Sequence, residues 1–530
     1  ETDSKNNVIN SIKYGYDDNG DLVLTTDYAG RDIIYSYDDD HNLTEILDPS
    51  GKPVARNEYD DNGRLKATVD SNGNRIEYEH DIDAKMEVVR DRNGNPTVFY
   101  YDDNGNVIKT IDALGNSTTN KYDADNKLIE STDANGNVTK YERDKDGNLK
   151  TLILPDGTKE ELKYNDLNIV NSIKLDDKLL VSMDYDSKGN ITGMSDALGN
   201  KTDLTYEKDG KLSSISDEIG QVKKLKYDEN GNLISLEDGN QNSTTYEYDE
   251  KNRCTGVTVT RIENGEQKEY TSRYVYDKAG NVTSKISNTG MVTTYEYDYK
   301  NNVTAAVSSD GLRTEYTYDS EDNLTYAAYS DGTSETFEYD KNGNNIKATD
   351  RYGITVSMEY DVLNRLTTKT YADGTKEKYT YDANGNVLTF TSVSGGVTEY
   401  TYDNMNRNTS VKDAYGNVTT FTYNNRSKLV KTQDANGNIF KYEYDDNDRQ
   451  IAEIYPDGTK EQTEYDKRGR VSKQIDRNGN VTKYEYDGAD NLIAVEDATG
   501  NKYSYTYDET YELTKVTDAN GNATLYSYDE

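Results

Sequence analysis

The sequence lacks several features that common protein classes need. It has no tryptophan, one cysteine, two histidines and five prolines in 530 residues. A single cysteine excludes an internal disulfide framework and a zinc site with several cysteine ligands. No stretch approaches 18 consecutive apolar residues, so the sequence predicts no transmembrane helix. Lysine and arginine total 61 against 99 aspartates and glutamates, and a net charge of −38 argues against nucleic-acid binding.

Hydrophobic residues are scarce, but tyrosine is not. Hydrophobic side chains make up only 32% of the sequence, which together with the high charge is typical of disordered chains. The 49 tyrosines contradict disorder, because a tyrosine can bury its ring while its hydroxyl remains hydrated. Composition therefore does not decide the fold class, and the order of the residues has to.

The dipeptide Tyr-Asp recurs along the whole chain. Taking its tyrosine as offset zero gives 25 anchor positions from Tyr16 to Tyr528, of which tyrosine holds 23, and aspartate follows the anchor in 22. His80 and Arg143 hold the other two anchors. Of the 24 spacings between anchors, 22 equal 21 in residue number, one equals 22 and one equals 28. We therefore expect residues 1–530 to be a single continuous repeat array.

Each repeat contains two turn signals. One occupies offsets +1 to +5, as in 382–386, and we name it the anchor turn. The other occupies offsets +11 to +15, as in 413–417, and we name it the mid-repeat turn. Aspartate at the first position and a residue that tolerates positive φ at the fourth, such as Gly385 or Gly416, predict a type I turn with a left-handed fourth residue. The pattern weakens at 165–180, where Lys178 takes the glycine position, and we expect an irregular strand pair there.

Two short segments between the turns of each repeat are predicted to be strands. One begins at offset +6 and is apolar there, and the other alternates up to the next anchor, as in Thr293–Tyr297. Tyrosines at offsets −2 and 0 fall on one face of the sheet. The predicted fold class is all-β: a repetitive antiparallel β-meander with two strands per repeat. Because sheets twist, we expect the long ribbon to coil into a spiral or hollow β-shell, that is, a solenoid.

The residues that we expect to define the repeat share the anchor, aspartate or glycine positions. They are Tyr16, Asp17, Tyr101, Asp102, Tyr297, Asp298, Tyr381, Asp382, Gly385, Gly416, Tyr486 and Asp487.

The longest spacing between anchors suggests a hairpin insertion near 255–275. Its tip is predicted at Glu263, Asn264, Gly265 and Glu266, where Asn-Gly between strand-like runs indicates a type I′ turn. The hairpin is a candidate contact for a neighbouring module, and a tolerated surface insertion explains the same residues.

Catalytic and cofactor motifs are missing from the sequence. His41 and His80 occupy repeat positions, and Cys254 takes the apolar +6 position, so we predict no enzyme and no cofactor. Structural calcium is the alternative for aspartate-rich turns such as Asp17–Asp21, although turn aspartates also hydrogen-bond to turn amides. A tyrosine ladder could stack on sugar rings, but tyrosines at strand period are more often sheet packing.

The pattern G-x-x-x-x-Y-x-Y-D-x-x-G-N/R-L/V resembles the YD or RHS repeat family. Residues 59–65 and 465–471 carry its Gly-Arg-hydrophobic form. The resemblance spans essentially the whole chain. It implies a continuous sheet that spirals into a hollow shell, which in bacterial polymorphic toxins and insecticidal toxin complexes encloses a toxic domain. In teneurins a related shell belongs to an adhesion receptor, and bacterial wall-associated proteins carry the same repeats.

The resemblance implies a scaffold function for this chain. No RHS core motif follows the repeats, so we expect the N-terminal plug, the core and the toxin domain to lie outside this sequence. The first hypothesis is a non-catalytic shell segment of an exported bacterial protein that encapsulates or presents a toxin or effector, secreted or wall-associated. Its partner would be that domain or a neighbouring module. The alternative is a cell-surface adhesion module that binds glycans or proteins.

The acidic charge predicts pH-dependent solubility. Because the net charge approaches zero near the pI of about 4.5, mutual repulsion should vanish there and the chain should self-associate. Static light scattering from pH 8 to pH 4 checks this. Full solubility at high concentration near pH 4.5 would show that charge repulsion is not what keeps the molecules from associating.

Overall fold

The chain is built from β-strands. The computed structural model describes residues 11–263, 266–508 and 511–527, with the side chains of 261–263, 266 and 267 outside the described part. The described residues form 49 strands that belong to one antiparallel sheet, and they contain no α-helix. The all-β meander with two strands per repeat is thereby confirmed.

The first 25 strands run to residue 276. They are β1 (Lys13–Tyr16), β2 (Leu22–Thr26), β3 (Asp32–Tyr37), β4 (Leu43–Leu47), β5 (Pro53–Tyr59), β6 (Leu65–Asp70), β7 (Arg75–Asp81), β8 (Met86–Arg90), β9 (Pro96–Tyr101), β10 (Val107–Ile111), β11 (Ser117–Tyr122), β12 (Leu128–Thr132), β13 (Val138–Arg143), β14 (Leu149–Ile153), β15 (Lys159–Tyr164), β16 (Val170–Leu175), β17 (Lys178–Tyr185), β18 (Ile191–Asp196), β19 (Lys201–Tyr206), β20 (Leu212–Asp217), β21 (Gln221–Tyr227), β22 (Leu233–Asp238), β23 (Ser243–Tyr248), β24 (Cys254–Glu263) and β25 (Glu266–Tyr276).

The remaining strands follow the same alternation. They are β26 (Val282–Ile286), β27 (Val292–Tyr297), β28 (Val303–Val307), β29 (Arg313–Tyr318), β30 (Leu324–Tyr329), β31 (Ser334–Tyr339), β32 (Asn345–Thr349), β33 (Thr355–Tyr360), β34 (Leu366–Thr370), β35 (Lys376–Tyr381), β36 (Val387–Thr391), β37 (Val397–Tyr402), β38 (Asn408–Lys412), β39 (Val418–Tyr423), β40 (Leu429–Gln433), β41 (Ile439–Tyr444), β42 (Gln450–Ile454), β43 (Lys460–Tyr465), β44 (Val471–Ile475), β45 (Val481–Tyr486), β46 (Leu492–Glu496), β47 (Lys502–Tyr507), β48 (Leu513–Thr517) and β49 (Ala523–Leu525).

The anchor turn closes a hairpin whose strands meet at a bulge. In β45 and β46, Tyr484 pairs with Val495, and the register shifts before Tyr486 pairs with Leu492. In the same class of turn, the Gly385 amide donates to the Asp382 carbonyl oxygen at 3.2 Å, and Gly385 has a φ of 91°. This is the predicted type I turn with a left-handed fourth residue, which here is part of a G1 bulge.

The segment 165–180 contains the irregular strand pair that the sequence predicted, since the register of β16 and β17 shifts between Ile173 and Lys174. β16 and β17 pair across a two-residue connection, Asp176-Asp177, whose φ angles are 45° and 70°. Two consecutive left-handed residues form the tight turn preferred in hairpins, and aspartate tolerates that conformation. Lys178 therefore begins β17. It stands where other mid-repeat turns have glycine, but the two-residue turn needs no left-handed residue at that position.

The long spacing between anchors lies in the two longest strands. β24 has 10 residues and β25 has 11, and they pair from Gly256 with Arg273 to Glu263 with Glu266. Asn264 and Gly265, the predicted hairpin tip, lie outside the described residues. The side chains of Glu263 and Glu266 do so as well.

The two faces of the sheet differ in chemistry. In β27 the tyrosines Tyr295 and Tyr297 are half-buried on one face, while Glu296 is exposed on the other. Glu296 accepts hydrogen bonds at 2.8 and 2.9 Å from the Arg313 guanidinium two strands away. The intervening strand places Ala305, which pairs with Glu296, between them. A small residue at that position lets the ion pair bridge three strands, and Ala305 is buried beneath it.

The sheet has almost no conventional core. In the described residues no large side chain is fully buried, and the buried hydrophobic residues are mainly alanines and valines. Most tyrosine, leucine and valine side chains are half-buried. Stability must therefore come from many partial burials and from hydrogen bonds spread along the ribbon.

In most repeats the anchor tyrosine bonds to the preceding repeat. The Tyr381 hydroxyl donates to the Leu366 carbonyl oxygen at 2.7 Å, and this carbonyl lies at the start of the strand after the preceding turn. The same bond recurs through the array in Tyr122, Tyr164, Tyr185, Tyr206, Tyr248, Tyr297, Tyr318, Tyr339, Tyr360, Tyr423, Tyr444, Tyr465, Tyr486 and Tyr507. His80 substitutes for tyrosine and keeps the contact, with Nε2 lying 2.8 Å from the Leu65 carbonyl oxygen.

The chain divides into two compact units. Unit 1 is the described part of Glu1–Thr139 together with Tyr274–Tyr400 and Asp413–Tyr415. Unit 2 is Lys140–Arg273 with Thr401–Lys412 and the described part of Gly416–Glu530. Each unit thus contains an earlier stretch of the ribbon, its first pass, and a later one, its second pass.

Removing an anchor hydroxyl should loosen the array locally. Tyr381→Phe leaves the Leu366 carbonyl without this donor, and we expect a loss of about 0.5–1.5 kcal/mol of unfolding free energy. Denaturant unfolding and hydrogen exchange of β34–β36 measure the loss. Tyr352→Phe is the matched control, because Tyr352 is 87% exposed and should change neither measurement. Equal effects of the two variants would contradict a role for the anchor bond.

Candidate functional site: the turn-to-turn seams

Each turn holds its first aspartate in a fixed orientation. Asp382 Oδ1 accepts hydrogen bonds from the Asn384 amide at 3.0 Å and from the Asn386 amide at 2.8 Å. Asp382 Oδ2 accepts from the Asn386 side chain at 2.9 Å. Because Oδ2 accepts only one donor from its own turn, it has room for a second. The turn therefore presents a pre-oriented acceptor at the edge of the sheet.

In unit 1 that acceptor is used by a turn of the other pass. The Asn384 side chain donates to Asp133 Oδ2 at 2.7 Å, and the Asn135 side chain donates back to Asp382 Oδ2 at 2.9 Å. The Asn135 amide also donates to Asn384 Oδ1 at 3.2 Å. A mid-repeat turn of the first pass and an anchor turn of the second pass thus exchange three hydrogen bonds. We name the row of such facing turns the seam.

The reciprocal pair recurs two repeats away. The Asn342 side chain donates to Asp91 Oδ2 at 2.7 Å, and the Asn93 side chain donates to Asp340 Oδ2 at 3.1 Å. Asp91 and Asp133 hold the same position in their turns, and Asp91 lies two repeats earlier in the chain. In unit 1 the two reciprocal asparagine pairs therefore alternate with a turn pair of different composition.

Other seam turns make the contact with different side chains. The Tyr299 hydroxyl donates to Asp48 Oδ2 at 2.8 Å, and the Tyr28 hydroxyl donates to the Ala279 carbonyl oxygen at 2.8 Å. Further polar seam contacts of unit 1 join Ser71 to Glu321, Ser320 to Asn72, and Arg92 to Glu321. The same turns face each other throughout, but the donor varies in chemistry and holds the second turn position in Tyr28 and Tyr299 instead of the third.

Unit 2 has a seam of the same construction. The Asn447 side chain donates to Asp196 Oδ2 at 2.5 Å, and the Asn240 side chain donates to Asp487 Oδ2 at 2.9 Å. Asn425 bonds to Asp176 at 2.6 Å. In this unit, too, each bond joins a mid-repeat turn of the first pass to an anchor turn of the second.

An ion pair lies within the unit 2 seam. Arg468 Nε is 2.5 Å from Asp217 Oδ2, and its Nη2 is 3.2 Å from Asp217 Oδ1. The two side chains are only 9% and 14% exposed. Arg468 Nη1 also donates to the Gly488 carbonyl oxygen at 3.0 Å. Removing one member of such a shielded pair would leave the other charge uncompensated, which is costly.

The seam also brings two backbones into direct contact. Gly239 and Gly488 each occupy the second position of their turn, and a Cβ atom on either would overlap the carbonyl group of the other. Glycine is needed here because of the close approach and not because of a left-handed φ.

Hydrogen bonds lower the pKa of the seam carboxylates despite their burial. Burial works to raise the pKa of Asp382, but donors that include the Asn386 and Asn135 side chains outweigh it and lower the pKa. At Asp48 burial is likewise opposed, by Ser50, the Lys52 amide and Tyr299, and the pKa falls to about 2. The ionised form of each is favoured because it accepts hydrogen bonds from both turns.

A second ladder runs along the anchor turns themselves. The fifth residue of one anchor turn donates to the fourth residue of the next, as in Asn344 to Asn364 at 2.8 Å and Asn281 to Asn301 at 2.9 Å. Asn364 and Asn301 have φ angles of 61° and 72°. Asparagine therefore replaces glycine at these fourth positions because it tolerates the left-handed conformation and also accepts a hydrogen bond.

The predicted repeat residues lie where strands enter turns. Tyr16, Tyr101, Tyr297, Tyr381 and Tyr486 end β1, β9, β27, β35 and β45, and the aspartate that follows each begins an anchor turn. Asp382 and Asp487 take part in the seam, whereas Asp17 and Asp102 lie in anchor turns of a first pass. Gly385 and Gly416 have φ angles of 91° and 86°.

The other candidate side chains lie in repeat positions. His41 has a φ of 66°, and its Nδ1 lies 2.7 Å from Asp21 Oδ2, an interaction that raises the pKa of the imidazole. Cys254 is half-buried at the start of β24, in the apolar +6 position. Across the described residues, no group of three histidine, cysteine, aspartate or glutamate side chains forms a candidate metal site. No helix in that part of the chain is long and apolar enough to cross a membrane.

The seam asparagines were missed by the sequence reasoning. Asn135 and Asn384 occupy the third turn position, which the turn conformation leaves free to vary. The signal was present, since asparagine at this position recurs every second repeat in parts of the array. The role of these asparagines could not be recognised, because each seam joins a mid-repeat turn to the anchor turn twelve repeats later. The residues within one repeat do not reveal that separation.

A charge placed in the seam should weaken it. Asn384→Asp puts a second carboxylate beside Asp133, and we expect a loss of about 1–3 kcal/mol of stability, since a hydrogen bond is exchanged for repulsion. Asn104→Asp is the control, because it makes the same change at the third position of an anchor turn in the first pass. Thermal unfolding at low protein concentration should separate the two variants. Matching midpoints would contradict the seam.

Family models and solved structures resemble this chain in the repeat array. The model described as RHS Repeat matches residues 16–53, 122–159, 227–261, 276–313, 381–418, 423–460, 465–502 and 486–523, which together exceed half of the chain. The Teneurin YD-shell model matches residues 304–391. The comparison with curated protein sequences gave no match.

The solved structures show the fold. The crystal structure of TcdB2-TccC3 has a TM-score of 0.55 at 13% identity and covers 97% of this chain and 34% of that chain. TcdB2-TccC3 without its hypervariable C-terminal region gives 0.54 at 14% identity, with 97% and 30% covered. TcdB2-TccC3-Cdc42 gives 0.54 at 13%, with 97% and 33% covered. This chain thus spans about a third of those chains, and the likeness agrees with the predicted fold class.

Proposed function

This chain belongs to the RHS repeat family, and from that premise we propose that it is a wall segment of a protein shell that encloses or presents a toxin or effector domain. The family is shown by the repeat matches over more than half of the chain. The chain itself would act as a non-catalytic scaffold of an exported bacterial protein. Activity would belong to other parts of the protein.

The observation that carries the proposal is the seam. In each unit, two passes of a thin ribbon are fastened by polar bonds at their turns, as between Asn384 and Asp133 or Arg468 and Asp217. Fastened passes make a sheet wider than a single ribbon, and that is what a wall requires. The bonds join edges, so both sheet faces stay available for solvent or cargo.

The similar structures support the enclosed partner. They are TcdB2-TccC3 assemblies, and one is named for the absence of a hypervariable C-terminal region. We propose a comparable arrangement for this protein, with a constant repeat scaffold and a variable functional module. The chain spans about a third of those structures, so the module would lie in the remainder of a longer protein.

An adhesion function is the second candidate, and exposed aromatic side chains favour it. Tyr352 and Tyr415 occupy the third position of two mid-repeat turns in unit 1 and are 87% and 92% exposed. Exposed tyrosines are well suited to stack on sugar rings or to contact a protein partner. Loss of cell or glycan binding in the Tyr352→Ala, Tyr415→Ala double variant would support this function.

Limited proteolysis of the full-length parent protein tests the shell function. A contained effector segment should resist protease in the intact protein and become cleavable when Asn384→Asp and Arg468→Ala open both seams. The matched control is Asn104→Asp with Arg477→Ala, where Arg477 bonds to Asp457 and Thr459 of a neighbouring turn of the same pass and lies over the Tyr455 ring. An effector segment that is cleaved equally in the intact parent and in the seam variant would overturn enclosure.

A further inference from the structure

Only half of the turns in each unit take part in its seam. The seam uses mid-repeat turns of the first pass and anchor turns of the second. The anchor turns of the first pass and the mid-repeat turns of the second pass therefore form two further edges. We name them the leading edge and the trailing edge.

Both edges carry asparagines in the position that the seam uses. On the leading edge these are Asn19, Asn62 and Asn104, and on the trailing edge Asn436, Asn478 and Asn520. Each follows the first aspartate of its turn by two residues, as Asn135 follows Asp133. In the described part of the chain these six side chains are exposed and none donates to another turn, although the Asn62 side chain bonds to Asp60 of its own turn.

The aspartates of these turns are oriented as they are in the seam. Asp434 Oδ1 accepts from the amides of Asn436 and Asn438 at 2.9 and 2.8 Å, and its Oδ2 accepts from the Asn438 side chain at 2.7 Å. This is the arrangement of Asp382, except that no facing asparagine completes it. Each trailing-edge turn of this kind therefore offers one donor and one acceptor, and each leading-edge turn offers the same.

The spacing of the two sets matches. The three trailing-edge asparagines follow one another at intervals of two repeats. The three leading-edge asparagines do the same, although their first interval is longer by a single position. In the seam, Asp91 and Asp133 are likewise separated by two repeats. Two repeats are four strands, or about 19 Å along an edge at ~4.8 Å per strand. The two sets can therefore meet in register.

We propose that the trailing edge of one molecule docks on the leading edge of a second copy of this chain. The contact repeats the seam: Asn436, Asn478 and Asn520 donate to the first aspartates of the facing anchor turns, and Asn19, Asn62 and Asn104 donate back. The pairing of turn types is the same as in both seams, a mid-repeat turn against an anchor turn.

A second copy is the occupant because it supplies the complementary set of groups. A docking partner must present an ordered row of turns, each with an acceptor at the first position and a donor at the third, at two-repeat intervals. The leading edge of the same chain has that row. The contact is heterologous, since the two edges differ, so association should proceed head to tail and continue beyond dimers.

The net charge sets the conditions under which docking appears. At −38, two copies repel each other over long range, and low salt should keep them apart. High salt screens that repulsion, with a Debye length of about 3 Å at 1 M, while the short hydrogen bonds between facing turns persist. Self-association at neutral pH should therefore increase with salt.

Sedimentation velocity of the full chain at pH 7.5 tests the proposal. In about 1 M NaCl we expect concentration-dependent oligomers that are weaker in 50 mM NaCl. Asn436→Asp, Asn478→Asp and Asn520→Asp together should lower the association constant at least tenfold, because each new carboxylate faces an aspartate. Aspartate is compatible with the turn, since Asp457 holds the same position in a neighbouring trailing-edge turn.

A charge-matched control separates the edge from total charge. Thr317→Glu, Thr422→Glu and Thr506→Glu add the same three charges on a sheet face, where glutamate already occurs at the equivalent strand position in Glu296. This variant should associate within about twofold of the wild type. Circular dichroism should show equal folding of all variants.

Mixing two edge variants gives the sharpest outcome. The trailing-edge triple variant keeps an intact leading edge, and a triple variant with Asn19→Asp, Asn62→Asp and Asn104→Asp keeps an intact trailing edge. Alone, neither should associate, but together they should form one-to-one complexes and nothing larger. A wild-type chain that stays monomeric in 1 M NaCl, a control as defective as the edge variants, or a mixture without one-to-one complexes would each overturn the proposal.

Discussion

The carboxylate of the first turn aspartate is the interaction on which the rest of the structure depends. In Asp382 one oxygen holds two amides of its own turn, and the other accepts a side chain from its own turn and one from a facing turn. The same carboxylate thus fixes the conformation of its own turn and bonds to the turn of the other pass. Because the carboxylate is oriented before the facing turn arrives, the seam forms with little further ordering of this side chain.

This dependence suits a chain with a thin sheet. A single ribbon buries few side chains completely, and those that it does bury are mostly small, such as Ala305, whose strand lies between the two strands joined by the Arg313–Glu296 ion pair. Such a sheet gains stability from many similar contributions, in which most anchor tyrosines donate to a carbonyl oxygen of the preceding repeat. The seams add long-range contacts, since they join turns twelve repeats apart. A low share of hydrophobic residues is therefore compatible with a folded array, because polar turns make the contacts that a core would otherwise supply.

Much of the local structure could be predicted because its causes lie within one repeat. The strand alternation, the type I turns with a left-handed fourth residue and the family resemblance were predicted correctly. The anchor tyrosine was predicted to pack on the sheet face, and its hydroxyl bond was not foreseen. His80 shows that the bond matters, since it replaces tyrosine and keeps the carbonyl contact. The irregular strand pair at 165–180 was also predicted correctly, but its tight turn at Asp176-Asp177, which does not use the expected glycine, was not foreseen.

What the sequence by itself determined is the repeat: two strands, two turns, a tyrosine face and an acidic surface, each set by residues a few positions apart. What only the tertiary structure decided is which turns face each other. That depends on sheet twist accumulated over twelve repeats, a quantity to which every repeat contributes slightly and which no single motif encodes. Asn135 and Asn104 illustrate the difference. The two have the same turn position, yet one bonds across a seam and the other lies on an edge, because the ribbon returns beside only one of them.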